Sequence, residues 1–142
     1  MSPAPIDAAQ LLEIMGDAVV IVDPHGIIVF WNAAATRLFG FEEAEALGES
    51  LTLITPQRLQ HRHNVGFGKA MDTGTTRYGT TLLKVPATHK DGRMLSIAFT
   101  VAMLFDDKRR VSGVAAVIRD ETQRYLEERE LRKKLAAYEA QH

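Results

Sequence analysis

The most constraining feature of the sequence is a two-residue alternation between positions 95 and 103. Large apolar residues occupy the odd positions from Leu95 to Met103, whereas serine, alanine and threonine occupy the even ones. This period predicts a β-strand that buries one of its faces. An earlier run at 78–89 is joined to it by a Lys-Asp-Gly turn at 90–92, so the two segments predict an antiparallel hairpin.

Two apolar segments closer to the N-terminus also predict strands. Positions 18–23 and 27–32 are rich in β-branched residues and flank a Pro-His-Gly turn at 24–26, which is typical of a hairpin. A further strand is predicted at 111–120, after a turn at 106–108. The sequence therefore predicts five strands.

Helical patterns occupy the segments between and beyond the strands. Asp7 would cap an N-terminal amphipathic helix, and Asn32 and Gly40 mark the start and the end of a second helix. The predicted helices cover 6–15, 32–40, 42–47, 56–72 and 122–140. Because the short helices are grouped between the two hairpins, this order predicts an α+β fold with helices on one face of an antiparallel sheet.

The composition excludes several classes of function. The chain of 142 residues carries 17 Lys and Arg against 18 Asp and Glu, so no basic excess indicates a nucleic-acid or anionic-membrane partner. Cysteine is absent, which removes disulfides, thiolate metal sites and cysteine nucleophiles. The sequence shows no secretory signal, membrane-spanning run, nucleophile elbow, phosphate-binding glycine loop or HExxH motif. We therefore expect a cytoplasmic protein that is not an enzyme.

Four segments, taken in order, resemble the PAS family. They are AVVIVDPHGIIVFWNAAATRLFGF (18–41), LGESLTLITP (47–56), HKDGR (89–93) and VIRDETQRYLEE (117–128). The resemblance implies a PAS fold divided into an N-terminal amphipathic helix (1–16), a PAS core (17–121) and a C-terminal signalling helix (122–142). Asp120 or Thr122 would then cap the signalling helix by accepting from its free N–H groups.

The resemblance also implies a sensory function. PAS domains generally bind a small ligand or cofactor, dimerise, and relay the state of the pocket to an effector through the C-terminal helix. The sequence independently favours a homodimer, because Leu131, Leu135 and Tyr138 follow the 4-3 spacing of a coiled-coil seam.

The ligand pocket of this family lies between the inner face of the sheet and the helix predicted here at 56–72. On that helix Leu59, His63 and Phe67 share the face directed towards the sheet, whereas His61 points away and is expected in solvent. The two-residue period predicts an almost wholly apolar opposite wall. Its residues are Thr81, Leu83, Val85, Leu95, Ile97, Phe99, Ala116 and Ile118.

His63 aligns with the proximal histidine of bacterial oxygen-sensing haem PAS domains, through the sequence LQHRH. The resemblance implies that His63 is the metal ligand of a b-type haem that senses a diatomic gas or the redox state. Where one such relative has a methionine as the sixth ligand, this chain has Thr81. In the alternative interpretation His63 is structural, and its ring hydrogen-bonds a backbone carbonyl of the core.

Other ligands, or none, remain as alternatives. Photosensing flavin relatives use a reactive cysteine and amide side chains, but this chain has no cysteine and has Ala87, Ile97 and Ile118 at the amide positions. A light-sensing flavin domain is therefore disfavoured, since a buried flavin edge would lack partners. A non-photochemical flavin, an apolar metabolite, or a ligand-free module that only pairs chains stays open. Outside the pocket, Trp31 is expected in the core, and His89 in an exposed turn.

Overall fold

A five-stranded antiparallel sheet organises the fold, as the sequence predicts. The computed structural model of the chain describes residues 4–75 and 80–142. Within them the sheet has the strand order β2-β1-β5-β4-β3, and each pair of neighbours is antiparallel. The strands are β1 (Ala18–Val22), β2 (Ile28–Trp31), β3 (Leu83–Thr88), β4 (Met94–Phe105) and β5 (Val111–Asp120).

The helices lie between the hairpins and at the two ends of the chain. Two 3₁₀ turns, Leu51–Leu53 and Gln57–Leu59, precede the longest of the central helices. Among the described helices none combines the length and the mean hydropathy needed to span a membrane. The helices are α1 (Ala8–Ile14), α2 (Ala33–Phe39), α3 (Glu43–Ala46), α4 (Gln60–Thr73) and α5 (Thr122–Gln141).

The predicted core position of Trp31 is confirmed. Trp31, Phe39 and Ile28 are each at most 1% exposed, and the rings of Trp31 and Phe39 lie 5.5 Å apart. The indole Nε1 donates to the hydroxyl of Thr36 and to the carbonyl of Phe41, so its one polar group is satisfied inside the core. These contacts pack α2 against the β1–β2 half of the sheet.

Asn32 joins four elements of the fold. Its side-chain oxygen caps α2 by accepting from Ala35 N–H, as predicted, and it also accepts from Val19 N–H of β1. Its side-chain amide donates to the carbonyls of Leu12 and Asp17 at the end of α1. The residue is fully buried. The hydrogen bonds of Asn32 therefore link α1, β1, β2 and α2. Its N-cap position alone does not predict this role.

Strand β3 forms one edge of the sheet. The N–H of Thr88 points away from β4 and donates to the carbonyl of Ile54. Because N–H directions alternate along a strand, positions 86 and 84 face the same way. Position 86 is a proline, which has no N–H to donate, and position 84 is an exposed lysine. At the opposite edge, Ile28 of β2 exchanges backbone hydrogen bonds with the 48–49 segment.

Candidate functional site

The predicted pocket wall lies on one face of the sheet. Paired residues of an antiparallel ladder share a face, and the pairs Leu83–Phe99, Val85–Ile97 and Phe99–Ile118 connect β3, β4 and β5. All of the predicted wall residues except Thr81 lie on this face. They are Leu83, Val85, Leu95, Ile97, Phe99, Ala116 and Ile118.

The placement of Thr81 in the wall is wrong. The ladder between β3 and β4 ends at the Leu83–Phe99 pair, so Thr81 precedes the strand and is exposed. Beyond that pair, β4 continues to Phe105 paired with β5, and residues 81–82 lie outside the strand. The start of the predicted strand, at 78–79, lies outside the described residues.

The wall is buried at one end and open at the other. Leu95, Ile97 and Ile118 are at most 4% exposed, whereas Phe99 is only partly buried. Val85 has the predicted orientation but is 37% exposed, because an edge strand has a neighbour on one side only. An apolar surface therefore remains accessible along β3 and the middle of β4.

Helix α4 is the predicted other side of the pocket. Leu59, just before it, and His63 and Phe67 within it are partly buried, and none of the residues 60–73 that form α4 is fully buried. Phe67 packs against the core cluster and reaches Gly26, where an added β-carbon would lie 3.4 Å from its Cε1. His61 is exposed, as predicted. Helix α4 thus contacts the core through Phe67 and buries none of its own residues completely.

The His63 ring is held mainly by its neighbour. It stacks on Phe67 with the ring centroids 6.3 Å apart and the planes inclined by 19°. Its Nδ1 lies 3.5 Å from the Asn64 side-chain oxygen, at the outer limit for a hydrogen bond. Among the described residues no backbone carbonyl accepts from the ring. His63 therefore offers a ring nitrogen that is not engaged in a strong protein contact.

The donor set restricts the kind of metal that the site could take. In the described parts of the chain, no three His, Cys, Asp or Glu side chains form a metal-binding group. One imidazole beside an apolar wall does not make a site for a bare cation, which needs several protein ligands. It does suit a porphyrin, because the macrocycle supplies four ligands and the protein needs to add only an axial one.

The positions expected to contact a flavin edge are buried and apolar. Ala87, Ile97 and Ile118 are 2%, 4% and 4% exposed, and their side chains carry no hydrogen-bonding group. A flavin placed against this end of the wall would leave ring amide and carbonyl groups without side-chain partners. These three positions therefore offer no side-chain hydrogen bond to a flavin edge.

The turn between β3 and β4 is exposed at residues 90–93, but His89 at its start packs against the helices. The expectation that His89 is solvated is wrong, since its side chain is 13% exposed and contacts Gly40. Lys90 N–H donates to the carbonyl of Phe39, and the Lys90 ammonium lies 2.6 Å from the Glu45 carboxylate. The missing side chain at Gly40 provides the space for the imidazole, a long-range relation with no periodic signal in the sequence.

Two carboxyl groups at the β3–β4 turn, those of Glu45 and Asp91, have lowered pKa values. The hydrogen bond from Lys90 is the main reason why the pKa of Glu45 lies below its ordinary value, and the N–H of Glu42 adds to the effect. The pKa of Asp91 is lowered chiefly by the hydrogen bond from the N–H of Arg93. Both carboxylates therefore stay charged at neutral pH. Glu45 links the turn to α3, and Asp91 stabilises the turn internally.

A shallow groove of about 350 Å³ lies at the end of the sheet where β1 begins and β5 ends. Ile118, at one end of the predicted wall, also lines this groove. Strand ends line it on one side and Arg37 and Leu38 of α2 on the other. Asp17 and Arg119, which also line this groove, form an ion pair with 3.1 Å between Oδ2 and Nε.

The junction between β5 and α5 is fixed by three short contacts. The Asp120 carboxylate accepts from Thr122 N–H, as predicted for this junction. Glu121 N–H donates to the carbonyl of Ser96, and the Thr122 hydroxyl accepts from Ser96 N–H. The first turn of α5 is therefore attached to β4, whereas none of the residues 122–141 of α5 is buried.

Comparisons with known proteins agree with this architecture. A family model described as the PAS fold matches residues 7–120. Sensor protein FixL of Bradyrhizobium diazoefficiens is 34% identical over 86 residues, which cover 51% of this chain and 17% of that protein. An uncharacterized protein of Azorhizobium caulinodans is 31% identical over 125 residues, which cover 85% of this chain and 16% of that protein. The chain thus spans about one sixth of the length of these curated relatives.

A solved structure shows the same fold. The crystal structure of the PAS domain of a protein from Colwellia psychrerythraea matches with a TM-score of 0.71 and 21% sequence identity, over 81% of this chain and 94% of that one. The structural match shows the fold, and the family model matches most of the sequence. The chain belongs to the PAS family.

Proposed function

We propose that this PAS domain binds one b-type haem between α4 and the sheet, with His63 as the proximal ligand. The domain would report a diatomic gas or the redox state as a cytoplasmic homodimer, through α5, to an effector. The observations that support the proposal are a weakly engaged imidazole on α4 and a partly exposed apolar face on β3 and β4.

The residues present suit the apolar macrocycle of haem. The facing wall of Leu83, Ile97 and Phe99 can bury such a ring without leaving polar groups unpaired. Phe67 lies next to His63 and would exclude water from the iron side of the helix. A bound haem would supply reversible gas binding or electron transfer at its iron, while His63 holds the iron and the wall sets its surroundings.

A path from the wall to the output helix supports the sensory role. Ile97 of the wall is paired with Asp120, the residue that accepts from Thr122 N–H at the start of α5. Ile97 also adjoins Ser96, whose backbone exchanges hydrogen bonds with the start of α5. A ligand that displaces Ile97 would therefore act on both attachments of the helix. The similarity to a sensor protein is consistent with this relay.

A ligand-free dimerisation module is the second candidate. It is favoured by Phe67, whose own side chain joins α4 to the core and to Gly26. In that case Phe67 would fill the core beneath α4, and His63 would be only a neighbour of Phe67.

Haem titration of the purified chain decides between the two candidates. Binding at a stoichiometry of one per chain should give the visible spectrum of a histidine-ligated haem and quench the fluorescence of Trp31, the single tryptophan. His63→Ala should abolish retention through gel filtration while the fold survives. His61→Ala is the matched control, because it removes an exposed imidazole two residues away and should retain haem.

Each other outcome has a defined meaning. A wild-type spectrum in His63→Ala would place the ligand elsewhere and overturn the assignment. A colourless wild type that binds no haem would favour the ligand-free module or an apolar metabolite, and a yellow protein as isolated would indicate a non-photochemical flavin.

A further inference from the structure

Asp17 and Arg119 form a cross-strand pair where the two ends of the PAS core meet. The ladder between β1 and β5 includes the pair Ala18–Ile118, so Asp17 and Arg119 occupy the next opposed position. Their side chains meet with Arg119 Nε 3.1 Å from Asp17 Oδ2. The sheet register thus brings together two residues that are 102 positions apart in the chain.

Asp17 is attached to α1. The carbonyls of Asp17 and Leu12 both accept from the side-chain amide of Asn32, which holds the end of α1 and the following loop together. None of the residues 8–14 of α1 is buried. Because α1 has so little core contact of its own, its position depends on this loop, and Asp17 is the acidic side chain by which the loop reaches β5.

Arg119 is attached to α5. It immediately precedes Asp120, which accepts from Thr122 N–H, and Glu121, which donates to Ser96. A change in the position of Arg119 at the end of β5 is therefore transmitted to the first turn of α5 through covalent neighbours. The rest of α5 has no buried residue that would resist it.

We propose that Asp17 and Arg119 are positioning residues that couple the two terminal helices directly. The ion pair holds the end of α1 and the start of α5 at one corner of the sheet, so that a displacement of either helix is passed to the other without crossing the ligand pocket. The coupling rests on the proposed output role of α5 but not on the identity of the ligand.

The magnitude of the coupling follows from the exposure of the pair. The Arg119 and Asp17 side chains are 69% and 32% exposed, so solvent screens the attraction. Exposed ion pairs change a local equilibrium by about 1.5- to 5-fold. A change of this size would shift the preferred position of a helix without fixing it. The effect of the ion pair should decrease as the salt concentration rises.

Amide hydrogen exchange of the full ligand-free chain tests the coupling. Asp17→Asn, which keeps the size and the backbone carbonyl, should speed exchange in residues 122–126 of α5 by about 1.5- to 5-fold. Arg119→Gln should speed exchange in α1 by a similar factor. The charge-swapped variant with both Asp17→Arg and Arg119→Asp should recover most of the protection at both helices, which a merely local effect of either residue would not produce.

Arg124→Gln is the matched control. It breaks the exposed Arg124–Glu128 ion pair within α5, so it removes one charge from the same region without touching the link to α1. It should change exchange in α5 and leave α1 unaltered. The proposal is overturned if Asp17→Asn alters only α1 and Arg119→Gln alters only α5. Because the exchange is measured on the ligand-free chain, that result does not bear on the haem proposal. Conversely, failure to bind haem does not bear on the proposed coupling of α1 and α5.

Discussion

The imidazole of His89 lies so close to Gly40 that a β-carbon added at position 40 would come 2.5 Å from its Cε1. Gly40 also ends α2 in the left-handed region, with φ at 84°. One residue therefore serves two purposes, since it terminates a helix and provides the surface on which the β3–β4 turn rests.

Gly40→Ala should destabilise the domain by roughly 2–4 kcal/mol, the sum of a left-handed alanine and an overpacked contact. Urea unfolding followed by the fluorescence of the buried Trp31 measures the change. Gly48→Ala is the matched control, because Gly48 has nearly the same φ, 88°, but a β-carbon added there would meet nothing within 4 Å. It should cost only about 1 kcal/mol. Equal losses in the two variants would show that the contact with His89 contributes nothing.

Asn32→Ala should cost about 3 kcal/mol, because it leaves the Val19 N–H and the carbonyls of Leu12 and Asp17 without their partner, whereas Ala35 N–H keeps its bond to the backbone carbonyl of residue 32. The same denaturation measurement applies. Asn32→Asp is more informative, since it keeps the two accepted hydrogen bonds but sets an oxygen against the carbonyls of Leu12 and Asp17. It should therefore loosen α1 selectively in amide exchange.

Asp7→Ala provides the reference for a simple helix cap. Asp7 accepts from Gln10 N–H at the exposed start of α1, and its loss should cost about 1 kcal/mol or less. If Asn32→Ala costs no more than Asp7→Ala, the network around Asn32 is not what joins the four elements.

Leu135→Asp should shift a homodimer towards monomer. Leu131, Leu135 and Tyr138 are 64%, 57% and 62% exposed in the single chain and follow a coiled-coil spacing, so a second copy would cover them. Sedimentation at micromolar concentration measures the change. Lys133→Asp, on the opposite side of α5, should leave association almost unchanged. A wild type that is monomeric under these conditions contradicts the prediction.

Removal of residues 122–142 should leave a folded domain with altered association. Helix α5 buries none of its residues, and its main attachment is the contact of Thr122 with Ser96, so the loss should be only about 1–2 kcal/mol. Circular dichroism and Trp31 fluorescence report the fold, and sedimentation reports the association. Global unfolding on truncation would mean that α5 is part of the core.

The order of elements could be predicted because it depends on local signals. The alternation from Leu95 to Met103 identified β4, and Asp7, Asn32 and Gly40 marked helix ends where the structure has them. Each of these signals arises from residues a few positions apart, where periodicity and capping act directly.

The candidate site could be predicted in orientation but not in burial. Strand parity placed Ile97 and Phe99 on the inner face, yet the exposure of Val85 follows from the position of β3 at the edge of the sheet, which no period encodes. His89 was misplaced for the same reason, since its burial depends on a glycine 49 positions earlier in the chain. Contacts between distant segments require the tertiary arrangement.

Pro86 in the middle of β3 limits how copies of this domain can associate. A strand that tried to join the sheet beside β3 would find no donor at position 86 and a charged side chain at Lys84, while Thr88 N–H is already bound to Ile54. Edge-to-edge pairing of sheets along β3 is thereby disfavoured. Two chains held close together by their α5 helices would be at high local concentration, and this edge protects them from growing into β-fibrils.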